Sequence, residues 1–234
     1  MNIPQENEDL DELEPETEVL EQDKPIYDVP WFEKGGRHGI DNRISDLIGF
    51  LPPSASDYSA LDIGCAEGAM IEQLHHLFKS FHGIEKFSNL HDAANERLTS
   101  LQNCTVEMRD IEREPLTQAY DYIFFLGVLH YYRDEEPRSK ILRNLMENTN
   151  KYLFVRTSYK QNREGRVPKD KEELILSKST DLATIGKLCE ELPFRWFFFD
   201  NRYRGEADFR LGDLVLLERI EKTSPARALT FLGQ

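Results

Sequence analysis

Short apolar runs alternate with amphipathic segments along most of this 234-residue chain, and that alternation limits its fold more than any other feature. Seven runs have the length and composition of strands: 60–63, 81–85, 104–108, 121–126, 152–157, 195–199 and 214–220. Residues near 68–79, 88–100, 135–148 and 181–192 read as the helices between them. A further helix is expected over 42–51, where Ile44, Leu47, Ile48 and Leu51 recur at helical spacing before Pro52-Pro53 stops it. Parallel strands need crossovers, and the crossover helices cover the sheet, so this order calls for a mostly parallel sheet buried on both faces. Only the last two strands lack a helix between them. They are expected to pair antiparallel, through a loop containing Gly205 and Gly212. The expected fold is α/β, with seven mostly parallel strands, helices on both faces and the last strand antiparallel.

Composition bounds the ends of this domain. Residues 6–23 hold ten carboxylates and no Lys or Arg, so about −10 of the formal charge of −14 belongs to this leader. Such a segment cannot bury enough apolar surface to offset the entropy lost on folding. Residues 1–24 are therefore expected to be disordered, serving as a solubilising tail or as an acidic partner segment. The domain proper is expected over 25–222, with 223–234 as a C-terminal tail. The remaining charge, near −4, argues against wholesale nucleic-acid binding and leaves room for a local basic patch. No apolar run approaches the ~18 residues of a membrane span, and the first residues lack the charged-then-apolar pattern of a secretory signal. Cys65, Cys104 and Cys189 show no C-x-x-C spacing, which indicates neither a disulfide framework nor a zinc site. A cytoplasmic setting is the expectation. Oligomeric state is not legible.

The stretch ALDIGCAEGAMIEQL, residues 60–74, turns a strand tightly into a helix. In open α/β sheets ligands bind beyond the carboxyl ends of the strands, where strand order reverses. Gly64 and Gly68 let the backbone turn sharply there. The free N–H groups of the following helix favour an anionic group by roughly 0.3–1 kcal/mol. A dinucleotide fingerprint, G-x-G-x-x-G/A, needs a glycine where Ala66 stands. A second ligand class needs an acid two residues before the first glycine and a glycine four after it, and Asp62, Gly64 and Gly68 meet that pattern. A glycine turn that holds no ligand is the plain alternative. Three further strand ends bear on the choice: Glu85, which lies 21 residues after Gly64, then Asp110-Ile111, and then Leu126-Gly127.

In this order and spacing the motifs resemble those of the class I S-adenosylmethionine-dependent methyltransferases, whose first motif reads D-x-G-x-G-x-G. The resemblance runs from about Trp31 to Ile220. It implies a Rossmann-like sheet and S-adenosylmethionine as cofactor. The turn residues Asp62, Gly64, Cys65, Ala66 and Gly68 would line the cofactor site. Glu85 would accept both ribose hydroxyls, and hydrogen bonds to a charged group contribute roughly 1.5–3 kcal/mol. Taken alone, that acid would serve NAD equally well. Asp110 would take the adenine amino group, Ile111 would pack on the ring, and Leu126 would face the methionine part. Ala66 departs from the family's middle glycine by one methyl.

Methyl transfer from a sulfonium needs an aligned nucleophile more than acid catalysis, and positioning alone can lower a barrier by up to ~7–11 kcal/mol. For a hydroxyl nucleophile a general base adds ~10²–10⁴-fold. His130, just after the fourth strand, is the catalytic candidate; the alternative is that it only packs. Tyr131 or Tyr132 could face the sulfonium through cation–π attraction or belong to the core. Arg156, Arg163, Arg166 and Arg202 follow the fifth and sixth strands, where the resemblance places the acceptor pocket. Arginine concentrated on one rim of an acidic body points to a small anionic acceptor, with a solvated charged loop as the alternative. No metal is implied.

The segments PWFEKGGRHGID and GVLHYYRDEEP are also similar to a branch that alkylates the tRNA wobble uridine, with its P-W-x-K-G and G-V-L-Y-H patterns. That branch holds a carboxylated cofactor with its Trp, Lys and Tyr. Trp31 and Lys34 match with one inserted residue, whereas His130 stands at the tyrosine position. The similarity implies shared ancestry rather than a shared substrate. The expected function is a methyltransferase acting on a small, anionic acceptor at oxygen or nitrogen. A tRNA-modifying methyltransferase and a catalytically idle binding protein of the same fold are the alternatives.

Overall fold

The computed structural model describes Leu47 and residues 49–132, 134–157, 171–199 and 214–220, with backbone alone for 171–180 and His130. The acidic leader, the C-terminal tail, Trp31, Lys34 and most of the helix expected over 42–51 lie outside the described residues. Of that helix, Leu47 is helical and fully buried.

Seven strands form one sheet: β1 (Ser59–Ile63), β2 (Ser80–Glu85), β3 (Cys104–Met108), β4 (Tyr120–Phe125), β5 (Thr149–Arg156), β6 (Phe194–Phe199) and β7 (Leu214–Arg219). Four helices join them: α1 (Ala69–Leu74), α2 (Ser88–Leu98), α3 (Glu135–Glu147) and α4 (Lys171–Glu191). The spatial order is β3-β2-β1-β4-β5-β7-β6. β1 to β5 are parallel to one another, and β7 runs antiparallel between β5 and β6. This is the Rossmann-like, mostly parallel sheet with an antiparallel last strand that the alternation requires.

Successive side chains of a strand point to opposite faces, and here both faces are apolar. On one face Leu61 and Ile63 of β1, Ile123 and Phe125 of β4, and Val215 and Leu217 of β7 pack under α3 and α4. On the other face the interleaved residues Ala60, Tyr122, Phe124, Phe154, Leu214 and Leu216 pack against α1 and Leu47. That second layer is aromatic: Phe124 stacks on Phe154 with centroids 5.1 Å apart, and Phe78 meets Phe81 edge-on at 5.3 Å. Helix α3 presents Ile141, Leu142, Leu145 and Met146 as one buried stripe.

Each expected strand forms, with the third as expected and the ends of the others shifted by at most three residues. Two helices differ more. α1 stops at Leu74 and continues as a 3-10 turn, His75–Leu77. α4 begins at Lys171, ten residues before the expected start, because the Lys, Glu and Leu residues of 171–176 are good helix formers that extend the helix upstream. Among the described residues no helix is long and apolar enough to cross a membrane.

Gly83 sets how closely α1 lies on β2. A Cβ built on it would sit 2.8 Å from both Cys65 Sγ and Ile71 Cδ1, two buried atoms with no room to retreat. Gly83→Ala is expected to lower stability by about 1–3 kcal/mol in chemical denaturation, the usual cost of overpacking a core. It should also weaken ligand binding, because Cys65 belongs to the turn described next.

Candidate active site

The sheet order places β1 between β2 and β4, so strand order reverses at its carboxyl end. A cavity of about 320 Å³ opens there, walled by the exits of β1, β2, β3 and β4. The residues 62–68 that leave β1 do not run straight into α1. Gly64 has φ 71°, Ala66 φ 50° and Gly68 φ 75°, three left-handed positions in alternation. An alanine in that region costs roughly 1–2 kcal/mol, so something must hold Ala66 there.

Glu85 does so. It ends β2, is buried, and its Oε2 accepts the Ala66 N–H at 2.9 Å. Its Oε1 accepts the N–H groups of Lys86 at 2.8 Å and Phe87 at 3.0 Å. A carboxylate has about four acceptor sites, so roughly one remains, on Oε2. That leaves Glu85 about one open acceptor site, where the expectation is a pair of ribose hydroxyls.

The other expected residues divide. Asp62, Cys65, Ile111 and Leu126 are buried and line the cavity together with Gly64, Ala66 and Asp110. Asp110 Oδ2 lies 3.1 Å from Lys86 Nζ, which ties the exit of β3 to that of β2. The close approach at Gly64 involves protein, since a Cβ there would meet Val128 Cγ2 at 2.5 Å. Gly68 lines no part of the cavity. It caps α1, and a Cβ on it would press on Leu98 and Ala94 of α2, so its need for glycine is structural. His130 sits in the 3-10 turn Leu129–Tyr131 after β4, with its backbone alone described. Arg156 is buried at the end of β5 and does not line this cavity; Arg163, Arg166 and Arg202 lie outside the described residues.

Several lining residues escaped the sequence reading: Glu67, Met70, Lys86, Phe87, Leu90 and Val128. Lys86, Phe87 and Val128 directly follow identified strand ends, and Leu90 lies one helical turn past Phe87, so continuing each motif by a few residues would have found them. Tyr131 and Tyr132 both line the cavity wall. Burial and the nearby Asp110 and Glu112 carboxylates push the Tyr132 phenol well above its ordinary range, which keeps it protonated.

The sequence profile of the family described as nodulation protein S (NodS) matches residues 16–157, more than half of the chain. The chain belongs to the NodS family. This makes it a class I S-adenosylmethionine-dependent methyltransferase, with S-adenosylmethionine as cofactor. Solved structures share the fold. The N-methyltransferase NodS from Bradyrhizobium japonicum WM9 aligns at TM-score 0.52 and 19% identity, covering 83% of this chain and 99% of that one. Magnesium protoporphyrin IX methyltransferase from Synechocystis PCC 6803, with bound S-adenosylmethionine, aligns at 0.54 and 17%, covering 81% and 82%. CalS10, an amino pentose methyltransferase from Micromonospora echinaspora, aligns at 0.52 and 12%, covering 81% and 96%. Sequence comparison with curated proteins returns no match.

The cavity suits this cofactor on charge as well as on shape. Asp62, Glu67, Glu85, Asp110 and Glu112 line it against only Lys86 and Arg109. An excess of carboxylates favours a ligand with a sulfonium and an ammonium, and opposes the pyrophosphate of a dinucleotide. The same field acts on Cys65. Burial first, then the charges of Asp62 and Glu85, raise its thiol pKa well above the ordinary value, while burial lifts Cys104 and Cys189 to about 11. The thiolate is the reactive form, so all three are expected to resist iodoacetamide in the folded protein near pH 7.5 and to react after unfolding. Mass spectrometry of labelled peptides checks this, and rapid labelling of Cys65 in the native protein would contradict the geometry of the turn.

Proposed function

We propose that this methyltransferase transfers a methyl group to a nitrogen or oxygen of a small, anionic acceptor. The observation that carries the cofactor half of this reading is the carboxylate-lined cavity at the switch point, built around Glu85. On the acceptor side, NodS is named an N-methyltransferase and CalS10 an amino pentose methyltransferase, which supports a small-molecule acceptor with an amine or hydroxyl. The preference for an anion rests on the sequence, on the arginines at 163, 166, 202, 204 and 210 that follow β5 and β6.

When bound, S-adenosylmethionine supplies a methyl on a sulfonium, an electrophile with a ready leaving group. The remaining open acceptor of Glu85 takes one ribose hydroxyl, and Asp110 takes the adenine amino group while Ile111 packs on the ring. Asp62 and the turn from Gly64 to Ala66 hold the methionine part, and Leu126 and Val128 exclude water from the reacting end. The protonated Tyr132 cannot act as a base. For a hydroxyl or amine acceptor we assign the general base to His130, the residue after Leu129 in the turn that follows β4.

Calorimetry should show S-adenosylhomocysteine binding in the absence of any NAD binding. Glu85→Ala should weaken it by about 1.5–3 kcal/mol, roughly tenfold to a hundredfold, the range of hydrogen bonds to a charged group. Of the 2′-deoxy and 3′-deoxy forms of S-adenosylhomocysteine, one alone should lose most of that affinity, because a single acceptor is open. Equal losses for both, or tight NAD binding, would refute this account of the site.

The acceptor can be sought by incubating the protein and labelled cofactor with metabolite pools and following mass gains of one methylene. The product should be a small anion. Arg163→Ala and Arg166→Ala should raise the acceptor's KM with S-adenosylhomocysteine affinity unchanged, and His130→Ala should lower kcat by ~10²-fold or more. Activity seen only on RNA, with the steep salt dependence of many phosphate contacts, would replace this reading with the tRNA one.

A further inference from the structure

Arg138 breaks two local rules. It lies in the first turns of α3, where the helix dipole favours anions, as Glu135 and Glu136 beside it show. It is also 6% exposed, with its partner Asp181 on α4 fully buried, and a buried ion pair does little for net stability. Its contacts suggest a different use. Arg138 Nε and Nη2 both donate to the Tyr132 carbonyl, at 3.2 and 2.8 Å, while Nη1 lies 3.3 Å from Asp181 Oδ1. That carbonyl falls between the 3-10 turn Leu129–Tyr131 and the α3 N-cap Asp134, so it belongs to no helical ladder. A planar fork can grip one carbonyl with two N–H groups while its remaining nitrogen stays in ion-pair range of a carboxylate.

We propose that Arg138 and Asp181 are positioning residues that clamp the active-site turn 129–132 to α4 and so fix the tyrosine wall of the cavity. The turn carries Tyr131 and Tyr132, both lining the cavity, and the backbone of His130. Within and beside it, Tyr131 N donates to Val128 O at 3.0 Å and Tyr132 N donates to Leu129 O at 3.2 Å. Leu129 anchors the start of the turn in the core, and the Arg138 clamp holds the carbonyl at its end. The link to catalysis rests on the cofactor reading above, but the clamp itself does not.

The test uses the full chain with two variants, the apolar pair Arg138→Met/Asp181→Leu and the single change Arg138→Lys. Replacing a buried ion pair by apolar groups of similar volume costs little stability, so the double variant should melt within ~3 °C of the parent. Without ligand, the Tyr131 and Tyr132 amides should exchange hydrogen at least ~10-fold faster, while core amides of α3 and β4 keep their parent rates. S-adenosylhomocysteine affinity should fall ~10-fold as the wall loses its preorganisation. Arg138→Lys, which keeps the charge without the fork, should fall between the two. Parent-like exchange and affinity in a variant that melts like the parent would overturn the proposal. So would exchange that rises equally across α3, α4 and the turn, the mark of a merely structural pair. Should the double variant not fold, Arg138→Lys decides by the same two readings. A parent that binds no S-adenosylhomocysteine would count against the cofactor reading, and the ligand-free exchange rates would still decide the clamp.

Discussion

Three backbone amides converge on the Glu85 carboxylate, and the geometry of the whole ligand site follows from that. One amide comes from the exit of β1 and two from the exit of β2, so a single side chain sets the spacing between adjacent strand ends. Hydrogen bonds to an ionised group contribute about 1.5–3 kcal/mol each, enough to offset both the left-handed Ala66 and much of the cost of burying the charge. The turn is thereby built before any ligand arrives. Gly64 completes it from the other side, where Val128 occupies the space a Cβ would need and brings the β4 exit against the β1 exit.

The cavity's charge follows from the same construction. Carboxylates at the strand ends are held in part by backbone, as Glu85 is by three N–H groups. Arg97 of α2 lies 3.9 Å from Glu67 Oε2 and at 2.9 Å from Glu72 Oε2, outside the lining of the cavity. Lys86 reaches Asp110 at the rim. What remains toward the cavity is a fixed negative field, preorganised so that a cationic cofactor need not reorganise it on binding.

Much of this was legible in the sequence, for identifiable reasons. A strand buried on both faces reads as an uninterrupted apolar run, and Tyr122, Ile123, Phe124 and Phe125 announce β4 with little ambiguity. Strand ends that carry function break such a run with an acid, which is why Asp62, Glu85 and Asp110 stood out. Three things did not show. Gly68 has the spacing of a ligand glycine, but its requirement comes from the Leu98 and Ala94 side chains of α2, a contact distant in sequence. The lone pairs of Glu85 are consumed by amides whose direction depends on the fold. Arg138 and Asp181, 43 residues apart, carry no motif, because their pairing arises only when α3 and α4 pack side by side.

These observations divide the site between the two halves of the sheet. The exits of β1, β2 and β3 supply carboxylates and backbone, which suit tight and orientationally fixed recognition of a cationic nucleoside. The exit of β4 supplies Leu126, Val128, Tyr131 and Tyr132, an apolar and aromatic wall. Such a wall can pack on a sulfonium and exclude water, but its Tyr132 does not take up a proton: burial first, and then the Asp110 and Glu112 carboxylates, keep the phenol protonated. Proton removal from an acceptor then falls to another group, His130 in the function proposed above, or to the acceptor itself. The first half of the sheet thus fixes where the methyl group stands, and the segments after β4 and β5 determine what is brought to meet it.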